Sequence, residues 1–225
     1  MPNLSKVIEN PIEIDKRIMD GSYFDEDYFE RGRDTGKSYY QNYRWMPQRS
    51  FREAFAIIDY LKLNEKSYLL DVGCAKGFLV RALRELEIKV DGCDISKYAL
   101  QFAPAGCWYC GVNMTWEMKC GKYTHAFLKD VLEHGTREQI INILCMIWTV
   151  APVLMCIIPM GDFGKYRIPE YHIDKSHIIA ENENWWRKVF ADVGWKIRSE
   201  CKHVPGIKDN WNYCATGNRV FVLER

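Results

Sequence analysis

Apolar and polar positions along this chain alternate between two periods, and the switches mark its elements. From Ser50, Phe51, Ala54, Phe55, Ile58 and Leu61 recur at helical spacing and predict an amphipathic helix. Ser50 and Glu53 fit a capping box, in which each side chain satisfies a free backbone amide at the helix start. YLLDV over 68–72 is a short apolar run and predicts a buried strand; FLVRALRELE over 78–87 predicts a helix, and IKVDGCD over 88–94 a second strand. Ser96 can cap a helix around 97–103. CWYCGV (107–112) and YTHAFLK (123–129) predict a third and a fourth strand. Thr136 and Gln139 form another capping box, opening a helix that carries Ile140, Ile141, Leu144, Ile147 and Trp148. VLMCII (153–158) is apolar throughout, as expected of a strand covered on both faces. Trp185, Trp186, Val189, Phe190 and Val193 make the stripe of a last helix.

WKIRSECKHV (195–204) and RVFVLE (219–224) close the chain as two strands with no helix between them, so they should pair antiparallel. Alternating strands and helices elsewhere imply a parallel sheet with helices on both faces. The expected fold is therefore α/β: a Rossmann-like three-layer sandwich whose seven-stranded sheet is mostly parallel with an antiparallel C-terminal strand. Two units are expected, an irregular, aromatic-rich N-terminal arm over 1–47 and a main domain over 48–225. Ligands of such sheets bind beyond the carboxyl ends of the strands, near the point where strand order reverses. Asp71, Asp94 and Asp130 all fall at such ends.

The stretch LLDVGCAKG (69–77) runs from the first strand into a small-residue turn. Gly73 permits a sharp exit from the strand, while Ala75 and Gly77 keep side chains clear so that a ligand can approach the backbone and the free amides of the next helix. Asp94 lies 21 residues after Gly73, at the end of the second strand, where an acid can accept two hydrogen bonds from a ribose diol. A dinucleotide turn would need its third glycine where Phe78 stands, and a pyrophosphate would be repelled by Asp71. A ligand bearing an ammonium group would not. The plainer readings are that the turn is punctuation and that Asp94 and Asp130 are helix caps.

With these residues in view, LLDVGCAKGFLV resembles the first motif of class I S-adenosylmethionine-dependent methyltransferases, with Ala75 in place of the middle glycine. VDGCDIS (90–96) is similar to the second motif of that family, and KDVLEHG (129–135) resembles the segment after its fourth strand; the resemblance covers roughly 50–225. It implies S-adenosylmethionine as cofactor, with Gly73, Cys74, Ala75 and Gly77 around its methionine part. Asp71 would organise the turn, Asp94 would hold the ribose hydroxyls and Ile95 would pack on the adenine. Asn113, beside Met114, would stand near the adenine amino group, and Asp130 beside the methionine moiety where the acceptor enters. Tyr43 and Arg44, in the arm, would close over the donor, Arg44 pairing with its carboxylate. The role of Lys76 stays open between the donor carboxylate and solvent.

The stretch 159–181 is long for a structureless connection, which itself suggests function. His172, Asp174 and His177 lie close together in it, as candidates for a general base, an acceptor-site ligand or a metal pair, against a plain role in loop hydrogen bonding. The run Tyr171-x-x-Asp174-x-Ser176-His177-Ile178 before Trp185 is similar to one in bacterial and phage methyltransferases, many linked to sugar or surface-polysaccharide assembly. His134 is a further candidate base. Cys107 and Cys110 form a CxxC, but zinc would need two more ligands and only Cys120 is near; a strand is also the wrong place for a redox motif. No metal site is expected.

The resemblance implies an enzyme that methylates a polar acceptor at oxygen or nitrogen: a small molecule, or a sugar or glycan end. Two alternatives stay open: a nicotinamide-dependent oxidoreductase, and a non-catalytic module that binds S-adenosylmethionine. Charge narrows the acceptor. With 31 basic and 30 acidic residues, the net +1 gives no support for a nucleic-acid footprint. Nine cysteines in no regular framework read as reduced thiols of a cytoplasmic protein. Residues 1–20 are polar and charged, so no signal peptide is expected. The 17-residue apolar run 143–159 is broken by Pro152 and is too short to span a membrane. Nothing in the sequence bears on oligomeric state.

Overall fold

In a computed structural model that describes residues 20–111 and 122–225, the strands are β1 (Tyr68–Val72), β2 (Lys89–Asp94), β3 (Cys107–Tyr109), β4 (His125–Lys129) and β5 (Val153–Pro159), followed by a short hairpin of β6 (Gly161–Asp162) and β7 (Lys165–Tyr166), then β8 (Lys196–Cys201) and β9 (Asn218–Glu224). Seven of them form one sheet in the order β3-β2-β1-β4-β5-β9-β8. β1 pairs in parallel with both β2 and β4, and β9 runs antiparallel to β5 and β8. Strand order reverses between β1 and β4, which places the ligand crevice of this sheet class at their carboxyl ends.

The helices are α1 (Glu26–Glu30), α2 (Gly32–Thr35), α3 (Pro47–Leu61), α4 (Phe78–Glu85), α5 (Lys97–Leu100), α6 (Arg137–Val150) and α7 (Glu183–Val193). Pleating divides β1 between two cores. Leu70 and Val72 join Ile140, Leu144 and Ile147 of α6 and Trp186, Val189 and Phe190 of α7. Leu69 faces the other way, with Ala54 and Ile57 of α3 and Val80 and Leu83 of α4. The result is the expected three-layer sandwich. Among the described residues, no helix is long and apolar enough to cross a membrane; the 143–159 run divides between the end of α6 and β5.

Ser96 caps α5 through the Ala99 amide, and the Thr136–Gln139 capping box is formed in both directions. Three expectations are corrected. The capping box at Ser50 is not formed, because Pro47 occupies the first turn and starts α3 three residues earlier. Glu53 instead turns inward to an ion pair with Lys129. The arm is not irregular: α1 and α2 lie within it, and Tyr23, Phe24, Tyr28 and Phe29 pack into a small core against Ala99 of α5. The 159–181 stretch carries the β6–β7 hairpin and a 3₁₀ turn over Pro169–His172, because Arg167 ties Asp162 to Glu183.

Candidate functional site

A cavity of about 540 Å³ opens at the carboxyl ends of β1, β2 and β4, within the range of small-molecule sites. Its first wall is the turn after β1. The Gly73 and Cys74 amides both donate to the Cys93 carbonyl, at 2.8 and 3.0 Å, which folds the chain back over β2. Gly73 has φ +77°, and a Cβ there would lie 2.4 Å from a Val131 methyl carbon; only glycine fits. At Gly77, φ is +68° and a Cβ would meet Pro104 at 2.5 Å. Ala75 is held at φ +49°, a left-handed conformation that costs a residue with a Cβ about 1–2 kcal/mol.

Asp94 is what holds Ala75 there. One Asp94 oxygen accepts from the Ala75 amide and the other from the Ser96 amide, each at 2.7 Å. Each carboxylate oxygen retains acceptor capacity, so the two bonds aim the group without exhausting it. Burial raises the Asp94 carboxyl, and the Ser96 and Ala75 amides work against that. Asp71, on the cavity wall, is pushed well above the usual carboxylate range by burial, with Lys129 acting the other way. A cation entering at this turn would meet carboxylates short of compensation. The Lys129–Glu53 pair on the same wall had no sequence signal beyond a helix-cap pattern.

Lys76 is buried and turned toward the arm. Its Nζ donates to the Glu30 carboxylate and to the Tyr43 carbonyl, the latter at 2.8 Å, and lies 4.6 Å from the Phe102 ring centroid. The turn is thereby tied to the arm. Tyr43 packs tilted against Phe78 at 5.1 Å, and Tyr39 meets Trp211 of the C-terminal loop at 5.5 Å, so the arm roofs the cavity. Arg44 is exposed on the rim, and Ile95 lines the cavity next to Asp94.

The opposite end of the cavity is built from the turn Leu132–His134 and the loop around 174–179. Tyr28 donates to one Asp174 oxygen at 2.7 Å, and the Ser176 hydroxyl donates to the other at 2.5 Å. With its proton committed, Ser176 must accept from His134 Nδ1, 2.8 Å away, which leaves His134 Nε2 unprotonated in the neutral ring. His177 Nδ1 donates to the Tyr171 carbonyl at 2.8 Å, and burial pushes this histidine down to about 4, so Nε2 is again a free lone pair at neutral pH. Asp130 sits at φ +55°; burial would raise its carboxyl, but its ion pair with Lys208 outweighs that and holds it low.

The structure thus brings His134, Asp174, His177 and Asp130 to one end and Asp71, Gly73, Cys74, Ala75 and Asp94 to the other. His172 does not join them: it is exposed, and its Nε2 accepts from the Tyr166 amide at 3.1 Å. The 3₁₀ turn that ends at His172 turns it away. Asn113 and Met114 lie outside the described residues. Cys107 and Cys110 face different neighbours, the Cys74 thiol for one and Cys93 for the other. Tyr28 and Lys208 had no recognisable signal, and Glu53, Lys129 and Ser176 stood only within a cap pattern or a motif, because their contacts to Lys129, Glu53 and His134 are remote in sequence.

No family model and no curated protein sequence matches the chain. Its fold does match solved structures. Magnesium protoporphyrin IX methyltransferase from Synechocystis PCC 6803, solved with bound SAH, is 18% identical with a TM-score of 0.60, over 94% of this chain and 100% of that one. The 1,6-didemethyltoxoflavin-N1-methyltransferase of Burkholderia thailandensis is 15% identical with a TM-score of 0.59, over 91% and 88%. A SAM-dependent methyltransferase from Archaeoglobus fulgidus is 13% identical with a TM-score of 0.54, over 77% and 94%. The fold of this chain is the one those methyltransferases share.

Proposed function

We propose that this protein is an S-adenosylmethionine-dependent methyltransferase acting at oxygen or nitrogen of a polar acceptor, a small molecule or a sugar or glycan end. The observation that carries the reading is one cavity with two chemically distinct ends: a glycine turn with Asp71 and Asp94, and a cluster of Asp174, His134 and His177. Asp71, Gly73, Ala75 and Gly77 would hold the methionine part of the donor, Asp94 its ribose diol and Ile95 its adenine. Bound S-adenosylmethionine supplies an activated sulfonium methyl. The protein's work is then alignment and exclusion of water. Within the proposed division into an arm over 1–47 and a domain over 48–225, the described part of the arm, from residue 20, would serve as the lid, with Tyr43 and Arg44 at its edge.

A hydroxyl acceptor must lose its proton, and the Nε2 atoms of His134 and His177, whose Nδ1 atoms are engaged elsewhere, are the candidate bases at that end. Asp174 orients His134 through Ser176. The long loop of histidine, tyrosine and aspartate suits a polar acceptor, and the balanced charge disfavours bulk nucleic acid. The eight described cysteines are all free thiols, which supports a reducing, cytoplasmic setting. A nicotinamide cofactor is disfavoured because Phe78 opens α4 where its third glycine would be, packed against Tyr43.

Titration calorimetry with S-adenosylhomocysteine tests the reading directly. One-site binding is expected, and no binding up to millimolar concentration would sink it. A labelled-donor assay across sugars, small metabolites, RNA and protein would then identify the acceptor; donor binding without transfer to any of them would point to a non-catalytic module.

A further inference from the structure

At the acceptor end, two backbone hydrogen bonds lock the Leu132–His134 turn to the loop. The Ile178 and Ile179 amides both donate to the Glu133 carbonyl, at 2.9 and 3.1 Å. This junction sets Glu133, His134 and His177 side by side, with one ligand atom of each within 4.8 Å of the other two. Glu133 is fully buried, and neither of its carboxylate oxygens has a hydrogen-bond partner on any other described residue. His177 Nε2 stands 3.9 Å from Glu133 Oε1 and 3.9 Å from Asp174 Oδ2, too far for a hydrogen bond to either. A buried polar group left unpaired is costly, and native folds pair nearly all of them. A carboxylate facing two imidazole lone pairs is instead a set of donors without an acceptor.

The orientation of both rings fits that reading. A metal-binding histidine characteristically donates its second ring N–H to a carbonyl, a carboxylate or a group held by one, which fixes the tautomer. His177 Nδ1 does so to the Tyr171 carbonyl, and His134 Nδ1 to Ser176, itself bonded to Asp174. We propose that Glu133, His134 and His177 form a binding site for a divalent first-row transition-metal ion, of the zinc, cobalt, manganese or iron class. Two imidazoles favour such ions over magnesium or calcium, which prefer oxygen. Metal bonds of about 2.0–2.1 Å place ligand atoms roughly 3–4 Å apart, so a pair at the 4.8 Å limit needs to close by roughly 1–2 Å. This replaces the expectation of no metal site.

Three protein ligands leave a coordination position open, and His134 and His177 line the cavity. On the methyl-transfer reading, on which this step alone rests, the two Nε2 atoms are then metal ligands and no longer free bases, and the ion at the open position takes over their part by lowering the pKa of an acceptor oxygen. Metal binding itself does not depend on that reading.

The test uses untagged, full-length protein freed of metal with a chelator. Titration with Co²⁺, read by visible absorption, and with Zn²⁺, read by calorimetry, should show one site. Glu133→Gln and His177→Ala should each weaken it by about 100-fold or more, and Ser176→Ala, which frees the His134 ring and removes one donor from Asp174, by ~10-fold. His172→Ala, in the same loop but outside the cluster, should bind as the wild type does. No binding at millimolar metal, or binding unchanged in Glu133→Gln and His177→Ala, overturns the proposal. If those variants fail to fold, the wild-type melting temperature decides: a rise with Zn²⁺ that His172→Ala retains and Ser176→Ala diminishes supports the site, and no rise overturns it. S-adenosylhomocysteine calorimetry on the same proteins keeps the readings apart. Its failure in the wild type with metal binding intact would remove the methyl-transfer reading and leave the metal site standing.

Discussion

Lys76 of the turn after β1 is ion-paired to Glu30 of α1, 46 residues earlier in the chain. The ammonium is buried, with the Tyr98 and Phe102 rings around it. The glycine turn is therefore anchored on the segment that roofs the cavity.

That tie should be measurable. Glu30→Ala strands a buried ammonium, and breaking one side of a fully buried pair costs about 3–5 kcal/mol. The Glu30 side chain is 23% exposed, so about 2 kcal/mol is expected in urea unfolding. Lys76→Met combined with Glu30→Met should recover most of the loss, since an apolar pair of similar volume replaces the ion pair. S-adenosylhomocysteine affinity should stay reduced in the double variant, where the turn has lost its anchor. Equal stability of wild type and Glu30→Ala would show that the pair contributes nothing.

Asp94 holds two backbone amides and faces the cavity. In Asp94→Asn one of the two amides must face an NH₂ group instead of an oxygen, and the charge is lost as well. Hydrogen bonds to charged groups are worth about 1.5–3 kcal/mol. S-adenosylhomocysteine affinity should fall about 10–100-fold by calorimetry; an unchanged dissociation constant would remove Asp94 from the site.

Ala75 occupies a left-handed conformation at φ +49°. Ala75→Gly removes that steric cost and adds back some unfolded-chain entropy, for a net gain of about 0.5–1 kcal/mol. The melting temperature should rise by roughly 1–4 °C for a chain of this size. A lower melting temperature would mean that the alanine methyl packs more than it strains.

Glu183, at the start of α7, is pulled down to about 2 by hydrogen bonds from Arg167, with Arg219 adding to the effect. Its folded-state value lies below its unfolded value, so its contribution is complete above about pH 4.5 and is lost as pH falls toward 2. Urea midpoints measured across that interval should decline more steeply for the wild type than for Glu183→Gln. Parallel slopes would show that the ion pair is solvated away.

Much of the architecture was legible because its signals are local. A buried parallel strand must be apolar throughout, so YLLDV and VLMCII show themselves as β1 and β5. A glycine at positive φ with no room for a Cβ must stay glycine, so Gly73 and Gly77 mark the turn, and the spacing to Asp94 follows from one strand–helix–strand unit. Histidines in a loop after β5 could be named as candidates for the same reason: the loop starts at the carboxyl edge of the sheet.

Which candidates meet was decided by the tertiary structure. The sequence could not separate His172 from His177, five residues apart; a 3₁₀ turn sends one to solvent and the other into the cavity. Lys76 was open between the donor carboxylate and solvent and is bound to a residue of the arm; Ser50 and Glu53 looked like a cap and are displaced by Pro47. Glu133 carried no local signal beyond its place in DVLEH, and its meaning depends on its carboxylate having no hydrogen-bond partner on another of the described residues. Period and steric demand are written into neighbouring residues, whereas the pairing of charges and the orientation of imidazoles depend on contacts that only the folded chain brings within reach.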